Sequence, residues 1–416
     1  MASPMNPPSS CTTCDELIAA PAPLAASTPR SAWLAVASIA VGTFVMVTTE
    51  FLPVGLLTDI AQGLNVSAGT AGLMVTMPGV LAALAAPALT VAAGRLDRRI
   101  VVLSLTALLL VSNLLAAFAP SFSTMLVARM LLGLCVGGFW SFAPAVCTQL
   151  VPKADRPRAM SMILAGISVG TVLGVPAGAL LGSLAGWRSA FAASAVLTGA
   201  VLLVQLWLLP ALPAARAIRP ADLLMPLTRR VAAVGLAAVV LLVAGHFAAY
   251  TYLKPLLQDV FALSPTMVTA LLLVYGAAGF AGNFIGGNLV ARSTLSALLA
   301  TALLLAGSLL LSTMVGTGLI AGMAVVVAWG IAFGMVPPSA TGWMLQALPD
   351  APEAGQAMLV MAFQVAIASG ALLGGIAVDG SGIASAMLLG SALVLGAATI
   401  AIVFWRARRT PALNAP

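Results

Sequence analysis

Leu126-Val-Ala-Arg129-Met-Leu-Leu-Gly133-Leu-Cys135-Val-Gly137-Gly138-Phe139-Trp140 sets an arginine inside a run apolar enough to cross a bilayer, with glycines at four-residue spacing behind it. A charge at membrane depth is costly, so it faces a bundle interior or a water-filled path. Glycines four apart open one helix face to close approach by another helix. The stretch therefore predicts a polytopic membrane protein with a polar, ion-handling interior.

Composition agrees. Of 416 residues, 61% are hydrophobic and 7% charged, against about 25% charged in soluble domains. The net charge of +7 does not point to nucleic acid, because the basic residues fall in short loops between apolar runs rather than on one soluble face. Cys135 and Cys147 lie in or at the end of an apolar run, as small buried hydrophobes do. Cys11 and Cys14 form a C-x-x-C without a second pair or a nearby His, which is short of the four ligands zinc takes. No metal and no cofactor is expected. Residues 1–30 lack a basic start and an apolar centre and read as a disordered cytoplasmic tail rather than a signal peptide.

A span needs about 20 mostly apolar residues. Twelve stretches qualify: 33–57, 68–92, 100–119, 122–148, 159–184, 188–209, 232–254, 264–290, 294–315, 317–341, 354–378 and 383–405. The third and fourth are parted only by Pro120-Ser121, so the count requires a tight turn there. With the N-terminus inside, 15 of the 18 basic residues fall on the cytoplasmic side. That asymmetry predicts an inner-membrane protein with both termini cytoplasmic. The linker 210–230 divides the chain into six-helix halves, 31–209 and 231–405, followed by a tail 406–416. The halves echo each other. Gly55-Leu-Leu-Thr58-Asp59-Ile60 answers Pro255-Leu-Leu-Gln258-Asp259-Val260, and each leads to a serine, Ser67 or Ser264, placed to cap the next helix. The fold expected is all-α, with two six-helix pseudo-repeats.

Three motifs carry a resemblance. After span 2 comes Ala93-Gly-Arg-Leu-Asp97-Arg98-Arg99. On span 4 are Arg129, Gly133 and Gly137, with a leucine three rather than four residues before the arginine. On span 5 are Gly166, Gly170, Gly174, Pro176, Gly178 and Gly182, with G-x-P-x-G where G-P is usual. Together they resemble the major facilitator superfamily, in its twelve-span drug–proton antiporter branch. Thr49-Glu50-Phe-Leu-Pro53, Gly138-Phe139-Trp140 and the stretch His246 to Pro255 are similar to the sugar-efflux, arabinose and purine-nucleoside-efflux group within it.

The resemblance implies an exporter. It implies a cytoplasmic gate at Asp97, Arg98 and Arg99, for which a plain positive-inside anchor is the alternative. It also implies that spans 1, 4, 7 and 10 line a central cavity. Glu50 is the one carboxylate clearly within a span, about 10 Å from the outer end at 1.5 Å per residue, and Arg129 lies at the same depth. Glu50, Arg129 and His246 are the candidate proton-coupling set, with Glu50 as carrier and Arg129 biasing its charge. A static Glu50–Arg129 pair, or an Arg129 bonded only to backbone carbonyls, is the competing reading. Phe139, Trp140, Tyr250, Tyr252, Asn283, Trp329, Phe363 and Gln364 are candidate cavity residues.

The expected function is proton-coupled efflux of a small organic compound by alternating access. The alternative is a proton-independent facilitator or importer of the same fold. The partners expected are the cargo, protons and membrane lipid, with the protein acting as a monomer. Nucleosides, sugars and drugs all remain open as cargo. A membrane enzyme is disfavoured by the single His.

Overall fold

Long apolar runs with tight, capped ends dictate the architecture. The computed structural model describes residues 29–93, 96–152, 155–213, 228–349 and 352–409. Twelve helices among them are long and apolar enough to cross a membrane. In chain order span 1 is Arg30–Gly63, span 2 Ala68–Ala92, span 3 Arg98–Ala117 and span 4 Phe122–Leu150. Span 5 joins Arg156–Val169, a π-helical turn Gly170–Gly174 and Val175–Ala185; span 6 is Trp187–Leu208. Span 7 is Arg230–Tyr250, followed by a short helix Leu253–Pro255 and a π turn Leu256–Val260. Span 8 is Pro265–Arg292, span 9 Thr294–Met314, span 10 Leu319–Gly334 with Val336–Ala347, span 11 Pro352–Ser381 and span 12 Ile383–Arg409. The tail 1–28, most of the linker, the last residues and the Cys11–Cys14 pair lie outside the described residues.

Several boundaries have a local cause. The turn at Pro120-Ser121 forms, and the Ser121 hydroxyl caps span 4 by accepting from Thr124 N–H at 3.3 Å. Ser67 and Ser264 do the same for spans 2 and 8, accepting from Thr70 N–H at 3.0 Å and Met267 N–H at 3.4 Å. Spans 5 and 6 meet at Gly186, whose φ of 81° belongs to the left-handed region that glycine enters freely. Span 1 runs six residues past the predicted 57 to Gly63, which places Asp59 within the helix.

Small residues set the packing. A Cβ at Gly133 or Gly137 of span 4 would fall 2.5 Å from the carbonyl oxygens of Pro78 and Ala82, so these glycines bring span 4 against the backbone of span 2. The span 5 glycines lie along span 1 in matching steps of four. Gly166 faces Ala40 and Thr43, Gly170 faces Val47, Gly174 faces Thr48, Gly178 faces Leu52 and Gly182 faces Leu56. The glycine face therefore packs within the N-terminal half. The opposite side of span 5 meets the other half, where Gly276 of span 8 lies against Val172.

The halves also join along spans 2 and 11 and where span 1 meets Leu253–Pro255. Five polar contacts close the end remote from the termini. Thr58 donates to Gln258 Oε1 at 2.9 Å, and Lys254 pairs with Asp59. Asp379 accepts from the Ser67 hydroxyl at 2.6 Å and from Gly69 N–H at 2.8 Å. Tyr252 O–H reaches Gly69 O at 3.5 Å and, within its own half, also Ala371 O at 3.2 Å. Thr58 and Gln258 occupy the same position in the two echoing segments, as expected of repeats related by an axis along the bundle.

Candidate functional site

Span 4 carries Arg129 into the contact between spans 1 and 2, where it is 1% exposed. Its Nη1 donates to Thr49 O at 2.7 Å, Nη2 to Glu50 O at 2.7 Å and Nε to Met74 O at 2.9 Å. Glu50 is also buried, at 6% exposure. Its carboxylate feels the arginine's charge, and the Gln364 side chain from span 11 faces it. No ion pair within 4.0 Å forms between Glu50 and Arg129, whereas Lys254 and Asp59 do pair. The carbonyl-bonded arrangement therefore holds in place of a static ion pair. A buried guanidinium fixed by backbone and a buried carboxyl free of a salt bridge are neighbours here.

His246 lies apart from this pair. It is fully buried, and its Nδ1 accepts from the Trp329 indole N–H at 3.0 Å. A ring nitrogen that accepts is unprotonated, so the proton of this neutral imidazole is on Nε2. Nε2 has no partner. The ring stacks on Phe333 at 3.6 Å and on Tyr250 at 5.0 Å, and Tyr250 stacks on Tyr275 at 5.0 Å. These residues come from spans 7, 8 and 10 of the C-terminal half. Phe51 of span 1 stacks on Phe247 at 5.7 Å and joins this cluster to the segment that carries Glu50.

The remaining candidates are dispersed. Trp329 and Tyr250 belong to the aromatic cluster, and Gln364 faces Glu50 across the seam between halves. Phe363 and Trp140 are half-buried, and Phe139 packs edge-on to Trp140 at 5.3 Å. Phe139 also lines an apolar cavity among spans 1, 3, 4 and 6, inside one half rather than between halves. Tyr252 belongs to the closed far end. Asn283 is exposed, seven residues along span 8 from Gly276, so it stands near the same helix face two turns closer to the terminal end.

Asp97, Arg98 and Arg99 form a cluster within one half. The Asp97 carboxylate caps span 3, accepting from Arg99 N–H at 2.8 Å, and takes Leu212 N–H at 2.9 Å. Arg99 donates to Leu206 O at 2.8 Å, and the Arg98 guanidinium lies 4.9 Å from the Phe142 ring centroid. The motif binds the span 2–3 turn to the end of span 6.

Sequence reading missed Tyr275, Phe333, Pro78 and the Lys254–Asp59 pair. The echo of residues 55–60 in 255–260 was a usable signal for the last, because it sets the two segments opposite each other across the axis, with Lys254 adjoining the second.

Twelve apolar helices in two joined halves, with buried charges beside the seam, define a multi-pass membrane transporter rather than an enzyme. Residues 39–360 match the Major Facilitator Superfamily, and the chain belongs to that family. It is 35% identical over 366 residues to the purine ribonucleoside efflux pump NepI of Shigella dysenteriae serotype 1, covering 88% of this chain and 93% of that protein. The NepI pump of Escherichia coli strain K12 is also 35% identical, with 88% and 92% covered. In fold the chain is similar to a bacterial homologue of the human lysosomal transporter Spinster in its inward-facing, occupied conformation. There the TM-score is 0.70 at 15% identity, with 91% of this chain and 97% of that chain covered. The human organic anion transporter MFSD10 gives a TM-score of 0.62 at 19% identity, covering 90% and 99%.

Proposed function

We propose that this transporter is a proton-coupled antiporter that exports purine ribonucleosides or closely related small molecules from the cytoplasm. It lies in the inner membrane with both termini cytoplasmic. Export and cargo class draw on the relatives named above and on the span 5 glycine motif. Proton coupling rests on one observation: Glu50 is a buried carboxyl beside a fixed positive charge, held in no salt bridge, and met by Gln364 from the other half.

The chemistry follows from what each state of Glu50 can do. An ionised carboxylate only accepts hydrogen bonds, whereas a protonated one also donates. Gln364 offers both complements, a donor amide and an Oε1 that is buried without a partner. Loading a proton therefore changes the bond across the seam between spans 1 and 11. Cargo and proton compete for the site. Protonation from outside releases cargo there, and deprotonation inside resets the site for the next molecule. Tyr250, Trp329, Phe363 and Asn283 serve the cargo, His246 supports them, and Asp97, Arg98 and Arg99 steady the cytoplasmic end as the halves rock.

Glu50→Gln keeps shape and removes the titration. In liposomes it is expected to lose accumulation of tritiated adenosine driven by a pH gradient, while retaining exchange of labelled for unlabelled adenosine. Gradient-driven transport at the wild-type rate would sink the reading.

A further inference from the structure

Two of the three carbonyls that hold Arg129 are ones that proline has set free. In an α-helix the carbonyl of residue i accepts from the N–H of residue i+4, and proline has no N–H to give. Thr49 stands four residues before Pro53, and Met74 four before Pro78. Both helices run unbroken through these positions. The carbonyls of Thr49 and Met74 therefore lack their i+4 donor, and in a membrane such a group is satisfied within the protein. One guanidinium from a third helix supplies both, at 2.7 Å and 2.9 Å. Its third bond goes to the adjoining carbonyl of Glu50 at 2.7 Å.

We propose that Pro53 and Pro78 are positioning residues for the buried charge. Each creates an acceptor on its own helix, and the two acceptors together fix the guanidinium of span 4 beside Glu50 without the carboxylate having to hold it. Backbone carbonyls do not titrate, so the positive charge keeps its place whether Glu50 is loaded or empty. Arginine suits this task because its fork of donors reaches several acceptors at once. A lysine at 129 has a single ammonium and cannot span the same three carbonyls.

The test is a cycle among Arg129→Ala and the pair Pro53→Ala with Pro78→Ala, read first as melting temperature in detergent. Arg129→Ala strands both carbonyls and lowers the melting temperature. Adding the two alanines restores the helical N–H donors and raises it part of the way back. In the wild-type background the same two alanines do not raise it. An equal shift in both backgrounds would overturn the proposal. If Arg129→Ala does not accumulate as folded protein, Arg129→Lys replaces it, with the same difference between backgrounds expected and an equal shift again decisive.

A second readout separates positioning from mere support, and it alone rests on the function proposed above. With Arg129 retained, the restored N–H groups compete for its carbonyls and release it towards the Glu50 carboxylate. The pH midpoint of adenosine uptake by the double proline variant is then displaced. An unchanged midpoint with uniformly slower uptake contradicts the positioning role. Should the protein not move adenosine at all, the melting cycle still decides the proposal.

Discussion

At the scale of single residues, the hydrogen bond from Trp329 to His246 fixes the tautomer of the one histidine. Trp329→Phe removes the donor and leaves both imidazole nitrogens unpaired in a buried site. A stranded polar group costs about 1–3 kcal/mol, so this variant is expected to melt earlier in detergent, and an unchanged melting curve would show the bond to be dispensable. His246 was legible as a buried polar residue because a lone histidine in an apolar run has few other places to go. Its partner was not legible, since Trp329 comes from span 10 and only the packing of two distant helices makes them meet. The same holds for Arg129. Its burial follows from the apolar run around it, and its nearness to Glu50 from equal depth. The identity of its acceptors depends on two prolines in two other helices.

At the scale of elements, the glycine register of span 5 is a packing face against span 1. Gly166→Val would drive a side chain into the Ala40 carbonyl and Thr43. Backbone cannot yield as a flexible side chain does, and overpacking of this kind costs about 1–3 kcal/mol. Lower thermal stability and slower transport are expected, while Gly287→Ala, with open space around it, should change neither. Equal effects from the two substitutions would refute the packing role. Most span limits were readable within a few residues because hydropathy marks them, and at spans 2, 4, 8 and 9 a serine cap agrees. The π turn at Gly170–Gly174 was not, although Pro176 announced a disturbance there. A missing N–H can be met by a kink or by wider bonding, and here Val175 N–H reaches back to Gly170 O.

At the scale of the whole molecule, the two halves are joined at the end remote from the termini by Thr58–Gln258, Lys254–Asp59 and the Asp379 contacts. Alternating access requires this seam to part. Cysteines at positions 58 and 258, bridged by a short reducible cross-linker, should stop transport, and reduction should restore it. Transport that continued at full rate with the bridge intact would mean that the seam does not open in the cycle. The six-and-six division was foreshadowed by the echo of residues 55–60 in 255–260, but which helices form the seam was not, because hydropathy says nothing about which apolar face meets which.

In the proposed cycle, cargo and proton exchange through Glu50. Purified protein in liposomes loaded with a pH-sensitive dye, placed in an imposed pH gradient and given adenosine, tests it most directly. A proton flux that starts with adenosine and disappears in Glu50→Gln is the expected result. Movement of tritiated adenosine with no accompanying proton flux would contradict it and leave a facilitator of the same fold.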